Sequence, residues 1–195
     1  MRELSPMMQL AWSAAAAEAA ASGHEFIETE HVLIGMTAVS KALPLAADGL
    51  GFSAEQLHDA AREQDILRQV LAKTLVAPEA MRRELRKALG GTGGGPRDGR
   101  ISRSAACKAV FASAAELSDY KPSVTALQFL KAALLNPGHA LKQALEQLGN
   151  TAFQLSEALD AAETSAAPAA SERLAPGEPK RHHFPSNPLW GKAGT

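Results

Sequence analysis

The chain has 195 residues, of which 46% are hydrophobic but only 5% aromatic, and its formal net charge is −1. A nearly neutral chain is poorly suited to binding nucleic acid or an anionic membrane surface through charge, and its single cysteine, Cys107, excludes an intrachain disulfide. No apolar stretch reaches the roughly 20 residues that a membrane-spanning helix needs, so we expect a cytoplasmic protein.

An all-α fold is predicted, because an alanine-rich and aromatic-poor composition suits closely packed helices better than sheets. Helix boundaries follow from serine, threonine and proline at helix starts and from glycine at helix ends. The first expected elements are a helix over residues 5–22 with Ser5 as cap, Pro6 in its first turn and Gly23 at its end, a second helix capped by Thr29, a break at Pro44, a short third helix ending at Gly49 or Gly51, and a fourth helix opened by a capping box of Ser53 and Gln56.

The next segment, residues 65–100, predicts more helix and then a flexible tether. Apolar residues keep helical spacing up to Leu75, and a further helix is expected to start at Pro78. The glycine-rich run from Gly90 to Pro96 is typical of a linker. A nucleotide-binding loop would need Gly-Lys-Ser or Gly-Lys-Thr at the end of such a run, so we expect no ATP site.

The later part of the chain repeats the same plan. The expected elements are a helix over 102–118, a helix over 125–135, a break at 136–138, a short helix through Leu141 and Leu145, and a last helix opened by a capping box of Thr151 and Gln154. From residue 164 to 195 the composition turns to alanine, proline, serine and charge, which predicts a disordered tail.

An internal repeat relates the two parts. Residues 50–57 and 148–155 both read L-G-x-[S/T]-x-x-Q-L, and upstream of them Ile27 aligns with Val124 and Ser5 with Ser102. Such self-similarity indicates a duplicated unit. We therefore predict one domain over residues 1–163, built from two tandem four-helix repeats related by a pseudo-two-fold axis: copy one at 5–64, an insert and linker at 65–100, and copy two at 101–162.

Residues 24–36, HEFIETEHVLIGM, resemble the signature of the Clp N-terminal repeat, preceded by the expected Gly23. The likeness covers roughly residues 5–160. The resemblance implies a double repeat from the front of a ring-forming Clp AAA+ unfoldase. Such a domain is a non-catalytic, cofactor-free module that docks adaptor proteins or client polypeptides for the ATPase ring and its protease.

The chain departs from that family in three respects. Its insert at 65–100 is longer than usual, it carries no ATPase module, and copy two has Leu127 and Gln128 where copy one has Glu30 and His31. A stand-alone regulator that competes for adaptors, for phospho-arginine-tagged substrates or for small molecules therefore remains the alternative. A tail segment at Pro188–Gly191, which contains Trp190, is similar to the lead into a first ATPase module.

Five residues at the signature are the candidates for partner binding: His24, Glu25, Phe26, Thr29 and Glu30. Glu30 has two interpretations. A carboxylate in the first turn of a helix is stabilised by the helix dipole, typically by about 0.3–1 kcal/mol. The resemblance implies a second role, in which this glutamate recognises the guanidinium group of phosphorylated arginine.

Metal binding and catalysis are the other possibilities. His24 and His31 lie near three glutamates, but a structural zinc site needs four converging ligands and Cys107 belongs to the other copy. We therefore favour structural roles, with His31 packed at a helix start and His24 shaping the loop, and expect no metal. Cys107 is expected to be a small buried residue rather than a nucleophile, and Trp12 a core residue.

Overall fold

A computed structural model describes residues 3–47, 51–91, 101–118 and 123–166 of the chain. These residues are mostly helical, as predicted, and form eight helices and four strands of two residues each. In chain order the elements are β1 (Glu3–Leu4), α1 (Pro6–Ala21), β2 (Phe26–Ile27), α2 (Thr29–Ala47), α3 (Ala54–Lys73), α4 (Pro78–Leu89), β3 (Ser102–Arg103), α5 (Ala105–Glu116), β4 (Ser123–Val124), α6 (Ala126–Leu135), α7 (His139–Gln147) and α8 (Ala152–Ala166). Below, residues 3–91 are the N-terminal half and residues 101–166 the C-terminal half. None of the helices in the described ranges combines the length and the apolar content needed to cross a membrane.

Several helix starts confirm the predicted capping signals. The predicted caps are Ser5 for α1, the Ser53–Gln56 box for α3 and the Thr151–Gln154 box for α8. Proline also opens α4 at Pro78, as expected, and α1 ends at Gly23, whose φ of +70° is a conformation that glycine adopts without strain. These signals are reliable because each one acts within four residues of chain.

Two predictions about α2 are wrong. Pro44 does not break the helix, which continues to Ala47, so no separate third helix exists within the described residues. The hydrogen bond that a proline removes would have gone to the carbonyl of Ser40, four residues earlier, and Ser40 is exposed to water. Ala46 beyond the proline is buried in the core, which favours continuing the helix. Thr29 is the first helical residue of α2 rather than its cap.

The four short strands were not expected, and they join the two halves. β1 pairs in parallel with β4, and β2 pairs in parallel with β3. Because Ser102 lies in β3, α5 begins at Ala105 instead of residue 102, and Ser104 caps it by accepting the N–H of Cys107 at 3.1 Å. A strand of two residues is too short to show the alternation of apolar and polar residues by which strands are predicted from sequence.

The backbone hydrogen bonds also correct the alignment of the two halves. The N–H of Ser5 donates to the carbonyl of Val124 at 3.0 Å, and the N–H of Ser104 donates to the carbonyl of Ile27 at 3.1 Å. Ser104, 99 positions after Ser5 (104 − 5), and not Ser102, thus makes the bond in the C-terminal half that Ser5 makes in the N-terminal half. The two acceptors are Ile27 and Val124.

The boundaries of the insert and tail are less sharp than the sequence indicates. α3 runs without interruption across the expected boundary at residues 64 and 65, and α8 continues to Ala166, three residues into the expected tail. Residues 48–50, 92–100 and 167–195 lie outside the described ranges. The predicted tether, the tail and Trp190 therefore fall outside the structure, apart from Gly90, Gly91 and the end of α8.

The core depends on a close approach between α1 and α2. A Cβ atom added to Gly35 in α2 would lie only 2.1 Å from the carbonyl oxygen of Ala11 in α1. Beside this contact, the ring of Phe111 lies 4.7 Å from that of Phe129 and 5.9 Å from that of Trp12, measured between centroids. Trp12 packs against the core and is partly buried, as an edge member of this aromatic cluster.

Replacing Gly35 with alanine is expected to destabilise the fold strongly, because α1 and α2 must separate to accommodate the added methyl group. We expect a loss of about 3 kcal/mol or more in the free energy of unfolding, measured by urea denaturation. Gly91→Ala is the matched control, since its Cβ would meet only the carbonyl oxygen of Ser22 at an ordinary 3.8 Å. Equal stability of the Gly35→Ala variant and the wild type would contradict this packing.

Candidate functional site

The signature segment spans three kinds of structure. Residues 24–28 form the connection from α1 through β2, and residues 29–36 form the first two turns of α2. β2 lies against β3, so the signature of the N-terminal half sits where the two halves meet. Its side chains are consequently shared between the core, the opposite half and the surface.

His31 caps the start of α2. Its Nδ1 atom accepts the backbone N–H of Glu28 at 2.9 Å, while the carbonyl of Glu28 accepts the N–H of His31 at 3.1 Å. The same geometry occurs at the start of α6, where the side-chain oxygen of Gln128 accepts the N–H of Thr125 at 2.8 Å. Histidine and glutamine at corresponding positions thus perform the same capping task, which agrees with the structural role expected for His31.

His31 is held neutral at physiological pH. It is completely buried, and burial, followed by the neighbouring His24, lowers its pKa from 6.5 to about 4. Because Nδ1 accepts a hydrogen bond, the proton of the neutral ring is on Nε2, and this atom has no hydrogen-bond partner within the described residues. A charged His31 would therefore be poorly solvated at both ring nitrogens.

His24 connects the signature to the insert. Its Nε2–H donates to the carbonyl of Gly90 at 2.8 Å, just beyond the end of α4, and its ring lies edge-on to His31 at 4.7 Å. Both histidines therefore have one ring nitrogen engaged with the backbone. In the part of the chain that the structure describes, no group of three or more histidine, cysteine, aspartate or glutamate side chains is arranged to hold a metal ion.

Glu30 is directed into the opposite half of the molecule. It is only 7% exposed, and the backbone N–H groups of Glu30 itself and of Leu141, in the first turn of α7, lower its pKa. A Cβ atom on Gly138, which precedes α7, would lie 2.9 Å from Oε1 of Glu30. Burial, with a smaller contribution from Glu28, outweighs this effect and raises the pKa of Glu30 overall. The carboxylate of Glu30 thus lies beside the start of α7, where Gly138 has no side chain of its own to cap the helix.

The five predicted site residues separate into buried and accessible ones. His24, Thr29 and Glu30 are buried, whereas Glu25 is exposed and Phe26 is 40% exposed on β2. Glu25 and Phe26 are adjacent in sequence at the surface where β2 meets β3. The exposed members of the set are thus one acidic and one apolar side chain.

The helix of the insert covers one side of the signature. Arg86 of α4 forms two hydrogen bonds of 2.6 Å to the carboxylate of Glu18 in α1. This pairing lowers the pKa of Glu18 and raises the pKa of Arg86. Together with the bond from His24 to Gly90, it fixes α4 against the part of α1 that leads into the signature.

Two features of the structure have no clear signal in the sequence. Glu63 of α3 accepts the backbone N–H of Ala126 and so caps α6 from the other half. Leu75 is a leucine with a positive φ, and no turn residue marks it.

Cys107 is buried as expected, and burial raises its pKa to about 12, which leaves almost no thiolate for nucleophilic chemistry at neutral pH.

No protein-family model matches the chain, and no curated protein matches it.

The buried His31 predicts a stability loss on acidification. In the unfolded chain the imidazole binds a proton near pH 6.5, and in the folded chain only near pH 4, so lowering the pH between these values favours unfolding. His31→Gln keeps a capping side chain like that of Gln128 but cannot titrate. Between about pH 7.5 and pH 5, the wild type should lose about 2 kcal/mol more unfolding free energy than this variant.

The control for this measurement is His58→Gln, since His58 is an exposed histidine on α3. Urea unfolding of all three proteins at both pH values separates the contribution of His31 from that of Glu30, which is present in each of them. An identical pH dependence in the wild type and the His31→Gln variant would contradict a depressed His31 pKa.

Proposed function

We propose that this chain is a non-catalytic protein-recognition domain of the Clp N-terminal type, docking adaptor proteins or client polypeptides for an ATP-dependent unfoldase in the cytoplasm. The observation that carries the proposal is the signature at residues 24–36, which occurs at the connection between two helices of a mostly helical chain. The ATPase ring and protease of such a machine would be its further partners.

The proposal includes a duplicated architecture with a pseudo-two-fold axis. Support comes from the reciprocal strand pairs, because the start of each half is bonded to the connection before the second helix of the other half. Trp12 and Phe111 are also 99 positions apart (111 − 12), like Ser5 and Ser104, and their rings are in edge contact. Residues near a two-fold axis touch their own counterparts, so this pair favours an axis between α1 and α5.

The surface that best suits docking is the edge formed by Glu25 and Phe26. A half-exposed aromatic ring supplies apolar area, and an adjacent carboxylate supplies orientation, which is the combination that peptide-binding surfaces use. β2 holds the backbone of Phe26 in place through its pairing with β3. A partner segment that presents an apolar side chain fits this edge.

The alternative is a stand-alone regulator that binds adaptors, small molecules or phospho-arginine-tagged substrates. Recognition of a guanidinium group by Glu30 would require a carboxylate that is only 7% exposed and lies beside Gly138 to reach the surface. That change would need the start of α7 to move. We therefore favour the apolar docking mode over phospho-arginine binding.

Phe26→Ala should weaken binding of an apolar peptide to the full-length chain about tenfold, because an exposed aromatic contact residue is typically worth more than 1 kcal/mol. The measurement is chemical-shift mapping of the isotope-labelled protein during peptide titration, with shifts expected at β2, β3 and the start of α2. Phe153→Ala is the matched control, since Phe153 is also an exposed aromatic residue, at 70%, but lies on α8. An equal effect of both substitutions would contradict a site at Phe26.

The same titration with a phospho-arginine peptide tests the alternative. We expect no saturable shifts, and Glu30→Gln, which keeps the size of the side chain and an acceptor oxygen, should leave apolar peptide binding unchanged. Saturable shifts around Glu30 that disappear in this variant would favour the phospho-arginine receptor. If neither peptide shifts any resonance, client binding is eliminated and adaptor docking alone remains.

The full chain should neither bind nor hydrolyse ATP, since the glycine-rich run at 90–95 does not end in the Gly-Lys-Ser or Gly-Lys-Thr that holds phosphate and magnesium. Calorimetric titration with Mg-ATP should give only the heat of dilution. A saturable site with one nucleotide per chain would refute the non-catalytic assignment.

A further inference from the structure

Leu75 is a bulky residue in a backbone conformation that favours glycine. Its φ is +56°, and no other non-glycine residue among those described has a positive φ. The end of α3 imposes this conformation: the N–H of Leu75 donates to the carbonyl of Ala72 at 3.0 Å, and that of Val76 to the carbonyl of Leu71 at 3.0 Å. This is the Schellman arrangement, whose left-handed position is usually glycine.

Two other helices of the chain end with the same hydrogen-bond pattern and do have glycine. Gly23 ends α1 and Gly149 ends α7, each with a φ of +70°. A leucine at the corresponding position is strained by its Cβ. Its side chain is 93% exposed and so contributes almost nothing to the core. The fold gives no reason for leucine here, whereas contact with another molecule does.

The turn that carries Leu75 is fixed from two directions. Val76, the next residue, is buried in the core. The side-chain amide of Asn150 donates to the carbonyl of Thr74 at 3.0 Å and so connects the end of α3 to the turn between α7 and α8. An apolar side chain on a rigid base loses little backbone freedom on binding. Leu75 is therefore a protruding contact residue rather than a mobile one.

A depression lies on each side of Leu75. The first, of about 540 Å³, extends from α3 to the start of α4 and includes Ala72 and Pro78. The second, of about 590 Å³, extends from α3 to α8 and includes Leu148 and Ala158. Leu75 lines both of them. A patch that offers a protrusion and a recess side by side has the shape that a two-fold interface between identical surfaces requires.

We propose that a second copy of this chain docks on this patch, with Leu75 of each copy inserted into the depression beside Leu75 of the other. The charges of the second depression support this occupant. Lys73 and Glu157 both line it and are exposed, and neither forms an ion pair within the described residues. A two-fold axis brings Lys73 of one copy opposite Glu157 of the other, twice. The patch is thus complementary to itself in charge as well as in shape, independently of the recognition function proposed above.

The test is the association state of the full 195-residue chain, measured by sedimentation velocity between about 5 and about 500 µM. The wild type should show a reversible monomer–dimer equilibrium. Leu75→Gly should weaken the dimer by at least about tenfold, because the central contact residue is removed. This variant also relieves the backbone strain, so its Tm should be equal to or higher than that of the wild type, and loss of the dimer cannot be attributed to misfolding.

Charge reversal tests the arrangement of the two copies. Lys73→Glu and Glu157→Lys should each weaken the dimer by a few fold through like-charge repulsion, and the double variant should restore it. Leu135→Ala, an exposed leucine at the end of α6, is the control and should have no effect. The proposal is overturned if the wild type stays monomeric over the whole range, if Leu75→Gly associates as tightly as the wild type, or if the double variant does not recover.

Discussion

Two pairs of backbone segments hold the halves of this protein together, and neither half contains both members of a pair. β1 needs β4 and β2 needs β3, so the hydrogen bonds that start α1 and α5 are completed by the opposite half. Strands of two residues have no stability of their own. The strand pairs therefore depend on the packing of the helices around them. In return, they fix where α1 and α5 begin relative to the opposite half.

This exchange determines what the signature residues do. With β2 bonded to β3, the chain enters α2 beside the other half, so His31 is placed in the core and Glu30 reaches the N-terminus of α7. His24 is also buried, and its ring donates a hydrogen bond to the carbonyl of Gly90, just beyond the end of α4. A sequence motif that looks like a row of polar surface groups is thus mostly internal support, and its accessible part is the Glu25–Phe26 edge.

The sequence predicts the features of this fold that depend on neighbouring residues, but not those that depend on residues far apart in the chain. Ser5, the Ser53–Gln56 box and Pro78 act on neighbouring backbone groups, so their meaning is contained in a few residues. Pro44 misleads because its effect depends on water reaching Ser40 and on the burial of Ala46, which only the packed structure defines. The partners of Glu30 and Glu63 are backbone groups of helices that follow much later in the chain. The motif accordingly predicted the structural role of His31, but it did not predict the position of Glu30 beside α7.

The exchanged strands also constrain how the chain can fold during its synthesis. As the chain emerges from the ribosome, β1 has no partner until residues 123 and 124 have been made, and Glu30 has no neighbouring helix start until Gly138 has been made. The N-terminal half therefore cannot complete its packing until most of the C-terminal half is available. Until then, side chains that are buried in the folded protein, such as Met7, Met8 and Ile27, are incompletely covered. Nascent chains in this state expose apolar surface and unpaired backbone, the two features that molecular chaperones bind. The length of chain between β1 and β4, which includes α3 and α4, sets the duration of that exposed period.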